Sequence, residues 1–196
     1  MKETDTGERT RAEIYLLLGR LLGEPAAEPI LQMLRDLAVP PAKENFTAAL
    51  QTLRQAARDA RAEDVEEEFN VLFIGLGRGE LVPYGSHYMA GKLMDQPLAT
   101  VRRDLAAFGV ERRAHVREPE DHIAALCETM GVIIPLDEEV PFDSQRAFFT
   151  EHLEPWAGPF FHDLRCAGSA KFYRAVAAVG EQFMSLESGY FNMANS

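Results

Sequence analysis

The chain has 196 residues, 46% of them hydrophobic and 26% charged, and a formal net charge of -11. This suits one globular domain, or two small lobes, with enough chain to bury a core without staples. The acidic balance argues against a general nucleic-acid binder, which needs clustered Lys and Arg against phosphates.

The opening MKETDTGERTR lacks the apolar run of a secretory signal. No run of about 18 apolar residues is present to span a membrane as a helix. Two cysteines, Cys127 and Cys166, lie far apart with no CxxC, which points to a reducing compartment. The expectation is a cytoplasmic protein.

Helical periodicity runs through almost the whole chain. Ile14, Leu17, Leu18, Leu21 and Leu22 mark the apolar face of a first helix, stopped by Gly23 and Pro25. Ile30, Leu31, Leu34 and Leu37 mark a second, ended by Pro40-Pro41. Phe46, Leu50, Leu53 and Ala57 mark a third, and Val65, Phe69, Leu72 and Phe73 a fourth, closed by Gly75. The turn GLGRGELVP follows. Leu98, Val101, Leu105 and Phe108 form the next stripe, and Ile123, Leu126, Cys127, Met130, Ile133 and Ile134 another. Phe148, Phe149, His152 and Leu153 precede a segment from Trp156 to Leu164. Phe172, Val176, Val179 and Phe183 mark the last long helix. VIIP at 132–135 reads as a helix end cut by Pro135, and no run alternates as a strand would. The expected fold is all-α, about nine or ten helices in a single globular domain. The polar segment 109–118 is a candidate hinge between an N-terminal lobe, 1–108, and a C-terminal lobe, 119–196.

The charge is unevenly spread. Residues 118–154 hold ten Asp or Glu and one Arg, so most of the net charge is local to one stretch. That stretch opens with EPEDHIAALCETM, where Glu118, Glu120, Asp121, His122 and Cys127 offer several chemistries. No HxxxH, HExxH or Cys/His knuckle brings ligands together, so no metal site is expected. Cys127 falls on an apolar stripe, where a small core residue is the simpler account than a nucleophile. GLGRGE at 75–80 follows a helix and lacks the GK[ST] ending of a phosphate loop. The alternative to a binding protein is a nucleotide-binding or hydrolysing enzyme using Asp121, His122 and the hinge arginines Arg112, Arg113 and Arg117, with Arg102 and Arg103 nearby. The local account of EPEDH is a capped helix start: Pro119 in the first turn, and carboxylates at the positive end of the helix dipole. That account leaves the acid excess over 118–154 unexplained. An acidic surface beside the aromatic residues Tyr84 and Tyr88 would suit a basic, partly apolar peptide.

Three blocks carry a resemblance: EEEFNVLFIGLGRGELVPYGSHY (66–88), EPEDHIAALCETM (118–130) and QRAFFTEHLEPWAGPF (145–160). Together they resemble the TorD/DmsD/NarJ family of redox-enzyme maturation chaperones, closest to the TorD/DmsD branch. The resemblance implies an all-helical, non-enzymatic cytoplasmic chaperone. Its partner would be the N-terminal leader, often twin-arginine, and apo form of a molybdenum or tungsten oxidoreductase subunit. It would assist cofactor insertion and prevent premature export. Weak GTP binding and domain-swapped dimers are associated with some members, so no cofactor is expected beyond that nucleotide. Carried over position by position, the EPxDH motif places leader binding on Glu118, Pro119, Asp121 and His122, with Glu120 between them. The Pro-aromatic loop motif falls on Pro83 and Tyr84, with Ser86 and Tyr88 following, and the LF pair on Leu72 and Phe73. Tyr84 and Tyr88 stand where close relatives often have Trp. The HLxPW element, His152, Leu153, Pro155 and Trp156, is expected to be structural.

Overall fold

The computed structural model describes residues 3–40, 44–75, 78–111, 118–136 and 139–193. Among these the structure is all-α: α1 (Glu3–Gly23), α2 (Glu28–Arg35), α3 (Asn45–Asp59), α4 (Ala62–Phe69), α5 (Gly85–Ala90), α6 (Gln96–Ala107), α7 (Ile123–Ile133), α8 (Phe142–His152), α9 (Ala157–Cys166) and α10 (Phe172–Met193). A π-helical turn, Asn70–Ile74, extends α4. Every apolar stripe read from the sequence falls largely on one of these helices, and VIIP ends α7 as expected. No described helix is long and apolar enough to cross a membrane.

The chain divides into two compact units. Unit 1 is Met1–Gly23 with Pro83–Trp156, and unit 2 is Glu24–Val82 with Ala157–Ser196. This differs from a division into 1–108 and 119–196, because packing follows helix partners rather than chain order: α1 packs on α7, and α3 and α4 pack on α10. Of the expected hinge, 112–117 lies outside the described residues.

In unit 1, α7 is the central helix. Ile123, Leu126, Cys127, Met130 and Ile133 are all buried, and burial pushes the Cys127 thiol pKa up. The buried face of α1 is rotated from the one expected. Ala12, Tyr15, Leu18 and Leu22 are buried, whereas Ile14 and Leu17 are only half-buried. Small residues set the approach of these two helices. A Cβ on Gly19 would stand 2.7 Å from Glu128 Cγ, and one on Gly131 would stand 2.6 Å from Leu16 Cγ. Backbones so close gain dispersion contacts along their length.

In unit 2, α10 packs against α9, α3 and α4, and α2 packs on α3. Its core includes Leu31, Leu34, Leu53, Phe69, Leu72, Phe160, Phe161, Tyr173 and Val176. The start of α10 is capped from a distance. The carboxylate of Glu68, itself 8% exposed, accepts the N–H groups of Lys171, Phe172 and Tyr173 at 2.7, 3.0 and 2.8 Å. These are donors that no intrahelical carbonyl can reach. The π turn closes with Gly75 N–H donating to Asn70 O at 2.7 Å. Gly75 leaves it at φ +62°, where a Cβ would stand 1.9 Å from Arg78 O, so only glycine fits.

Candidate functional site

In unit 1 the loop before α5 and the turn before α7 are held together by a single antiparallel bridge between Tyr84 and His122. Gly85 N–H donates to Asp121 O, and Ile123 N–H donates to Pro83 O, each at 2.9 Å. Pro83 suits this edge because only its carbonyl is used. The bridge draws 118–122 out of the helix. α7 therefore begins at Ile123, five residues later than a start at Glu118, and Pro119 lies in the preceding turn. The three carboxylates do not form the first helical turn expected of them.

Asp121 is 1% exposed. Its Oδ2 accepts the Ser86 N–H at 2.9 Å and so caps α5, which has no cap from its own N-cap residue, Tyr84. Asp121 Oδ1 and Ser86 Oγ are buried without a hydrogen-bond partner among the described residues. His122 is the N-cap of α7, and its Nδ1 accepts the Ala124 N–H at 3.1 Å. A ring nitrogen that accepts carries no proton, so the neutral ring holds its proton on Nε2. Burial pushes the His122 pKa down to about 4, against the pull of Glu118 and Asp121. A general base working near neutrality wants a pKa near 7 and a free basic nitrogen. His122 has its basic nitrogen engaged in the cap.

The outer carboxylates are engaged too. The Tyr84 ring meets His122 edge-on at 5.0 Å, and its hydroxyl donates to Glu118. Burial, then Glu118, push the Tyr84 phenol up. Glu120 Oε2 accepts from Nε and a terminal nitrogen of Arg102 on α6, both at 2.9 Å. Arg103 bonds Asp104 at 2.9 Å and stands 3.7 Å from Glu151. Thus bases outside 118–154 neutralise part of its acid excess, which the linear charge count does not reveal. Arg102 and Arg103 sit in carboxylate pairs. Arg112, Arg113 and Arg117, the residues read as nucleotide contacts, lie outside the described residues.

The second motif ties α8 to its neighbours in unit 1. Buried His152 contacts Asp104 Oδ2 through Nε2 at 2.8 Å. Burial raises the Asp104 pKa, but hydrogen bonds from Arg103 and His152 outweigh it and hold the carboxyl below the usual range. The Trp156 indole N–H donates to His152 O at 2.6 Å, and half-buried Tyr88 stacks on Trp156 at 5.4 Å. Pro155 is exposed. Asp104, Glu151 and His152 form the one group of potential metal ligands among the described residues, and Arg103 already supplies positive charge there.

Leu72 and Phe73 belong to unit 2. Leu72 is fully buried. Phe73 is half-buried, in a ring cluster with Phe69 at 5.0 Å and Tyr173 at 5.5 Å. The apolar side chains of that segment that face outward are Val71 and Ile74. In α5 and in the segment just after it, Met89, Leu93 and Met94 are exposed by 44, 51 and 74%. The sequence reading missed them because α5 is a single short helix and Leu93 and Met94 follow it outside any helix, so no apolar repeat marks them.

The all-α fold is shared with a protein from Archaeoglobus fulgidus crystallised as a candidate redox enzyme maturation protein. The two align with a TM-score of 0.58 and 18% identity over 89% of this chain and 93% of that one. The chain belongs to the nitrate reductase delta subunit family, whose profile matches residues 40–162. Among its relatives is the chaperone protein TorD of Vibrio parahaemolyticus, 26% identical over 97% of this chain and 98% of the relative. Another is that of Aliivibrio fischeri, 29% identical over 95% and 97%. A third, from Photobacterium profundum, is 27% identical over 97% and 98%. These relatives are named as chaperones, not enzymes, in agreement with the resemblance read from the three motif blocks.

Proposed function

We propose that this protein is a cytoplasmic maturation chaperone that binds the N-terminal leader of a molybdenum or tungsten oxidoreductase subunit. It would hold the apo form until the cofactor is inserted and delay export until then. The observation that carries the reading is the Tyr84–EPEDH junction. There a buried Asp121, one oxygen of which has no partner among the described residues, lies within a turn that also carries Glu118 and Glu120, and Tyr84 pairs with that turn. A twin-arginine leader has a basic head and an apolar run. Glu118 and Glu120 suit the head, and Tyr84, Tyr88, Met89, Leu93 and Met94 suit the run. In this mechanism Asp121 and His122 act as positioning residues: their caps hold the two turns that present the outer groups. Glu120 would exchange the Arg102 guanidinium for one from the leader, an exchange of like for like that favours specificity and encounter rate over raw affinity.

The test is a titration with fluorescent leader peptides from the molybdoenzyme subunits of the same genome. One leader should bind at micromolar strength or better, more weakly at higher salt. Asp121→Ala with His122→Ala should cost at least tenfold, about 1.4 kcal/mol, with helicity unchanged. Asp121→Asn, which keeps an acceptor for the Ser86 N–H, separates the charge from the cap. Failure of every leader to bind refutes the proposal.

A further inference from the structure

Asp104 on α6 and Glu151 and His152 at the end of α8 bring three metal-type donors together in unit 1. One ligand atom from each lies within 4.8 Å of the other two. No ligand spacing in the sequence marks the group, because Asp104 and His152 are 48 residues apart. The leader site proposed above makes no use of these three side chains.

The group runs from fixed to mobile. His152 is 3% exposed. Its ring meets Phe148 edge-on at 4.6 Å, and its carbonyl accepts the Trp156 indole N–H, so ring and backbone are both held. Asp104 Oδ2 already lies 2.8 Å from His152 Nε2. The Glu151 side chain is exposed, and its one ion pair among the described residues is the long contact to Arg103 at 3.7 Å.

The charge is incompletely balanced. Asp104 and Glu151 share a single guanidinium, which donates to the two Asp104 oxygens at 2.9 and 3.3 Å. Two carboxylates and one guanidinium sum formally to one negative charge, and a divalent cation in place of the guanidinium brings the sum to zero. The Arg103 side chain is 66% exposed and turns into water at little cost, because exposed ion pairs contribute little. One imidazole and two carboxylates suit a borderline divalent ion. Zinc bonds of about 2.1 Å at tetrahedral angles set neighbouring donors about 3.4 Å apart. From 2.8 Å, the Asp104–His152 pair therefore opens by only about 0.6 Å, and the exposed Glu151 side chain turns inward to complete the set.

We infer that Asp104, Glu151 and His152 bind a divalent transition-metal ion of the zinc class in exchange for the Arg103 guanidinium, with water in the fourth position. His152 ligates through Nε2, which requires the neutral ring with its proton on Nδ1. The bound ion ties the end of α8 to α6. Arg103 is then a tethered competitor, and removing it strengthens the site.

The test uses the full-length, tag-free protein, stripped with chelator and titrated with Co2+ and then Zn2+. Expected is one saturable equivalent of Co2+ with the visible absorption of a tetrahedral ion, bleached by Zn2+, and a thermal melt that rises with Zn2+ concentration. Glu151→Gln, on an exposed side chain, should weaken binding at least tenfold, as should Asp104→Asn, with circular dichroism unchanged. Arg103→Gln should tighten it at least fivefold, an outcome that a merely structural ion pair does not give. His162→Gln with Cys166→Ser removes the exposed pair of metal-type donors on α9, 3.8 Å apart, and should leave binding within twofold. Non-saturable binding, an unchanged affinity in Glu151→Gln, weaker binding in Arg103→Gln, or loss of the signal in the α9 control would each overturn the inference.

Discussion

His122 should make the folded protein acid-sensitive between about pH 6.5 and 4. Burial lowers its pKa from 6.5 to about 4, and its Nδ1 must stay unprotonated to cap Ala124. A histidine depressed in this way takes up its proton more readily in the unfolded chain. Its contribution to stability is therefore full above about pH 6.5, declines as pH falls, and levels off below about 4, where the folded ring also protonates. Between about pH 7.5 and 5.0 the loss is about 2 kcal/mol, since each pH unit below about 6.5 removes about 1.36 kcal/mol. His122→Asn keeps an acceptor at the N-cap and removes the titration. Glu118 and Asp121, the acids facing the ring, and the Tyr84 hydroxyl remain in both proteins. Urea unfolding followed by Trp156 fluorescence should give a pH dependence about 2 kcal/mol smaller in the variant over that range. An equal dependence in the two proteins would refute the buried, neutral, capping histidine.

Glu68→Ala removes one carboxylate from three backbone donors at the start of α10 and should destabilise by about 3 kcal/mol. A thermal melt should fall on the order of 10 °C, with Glu68→Gln in between. Gly180→Ala should also destabilise, by about 1–3 kcal/mol, since its Cβ would stand 2.2 Å from a ring carbon of Phe161. An unchanged melt would mean that α9 and α10 shift freely. A thiol reagent should titrate one group in the native protein, exposed Cys166, and a second only in denaturant, because Cys127 is buried. Two fast equivalents would place Cys127 at the surface.

The helices were legible because each has an apolar stripe at helical spacing, and the motif blocks carried the family. Tertiary pairing was not legible. The rotation of the α1 face follows from Gly19 and Gly131, whose consequence depends on the partner helix. The start of α7 moved because Pro83 and Tyr84 pair with 121–123, a contact between residues about forty apart. EPEDH has the composition of a helix N-terminus, and local propensity favours that account. Burial of Asp121 as the cap of α5 and of His122 as the cap of α7 overrides it. The division into two units escaped for the same reason: nothing in a stripe says which other stripe it meets.

The interleaving of the units has a consequence for synthesis. α1 leaves the ribosome about a hundred residues before its partner α7, and α3 and α4 wait roughly as long for α10. Neither unit can close before most of the chain exists. Nascent α1 would expose Tyr15, Leu18 and Leu22 until α7 emerges, and closing such distant contacts slows folding. A protein whose relatives are chaperones would itself be among the chains that need shelter while they are made.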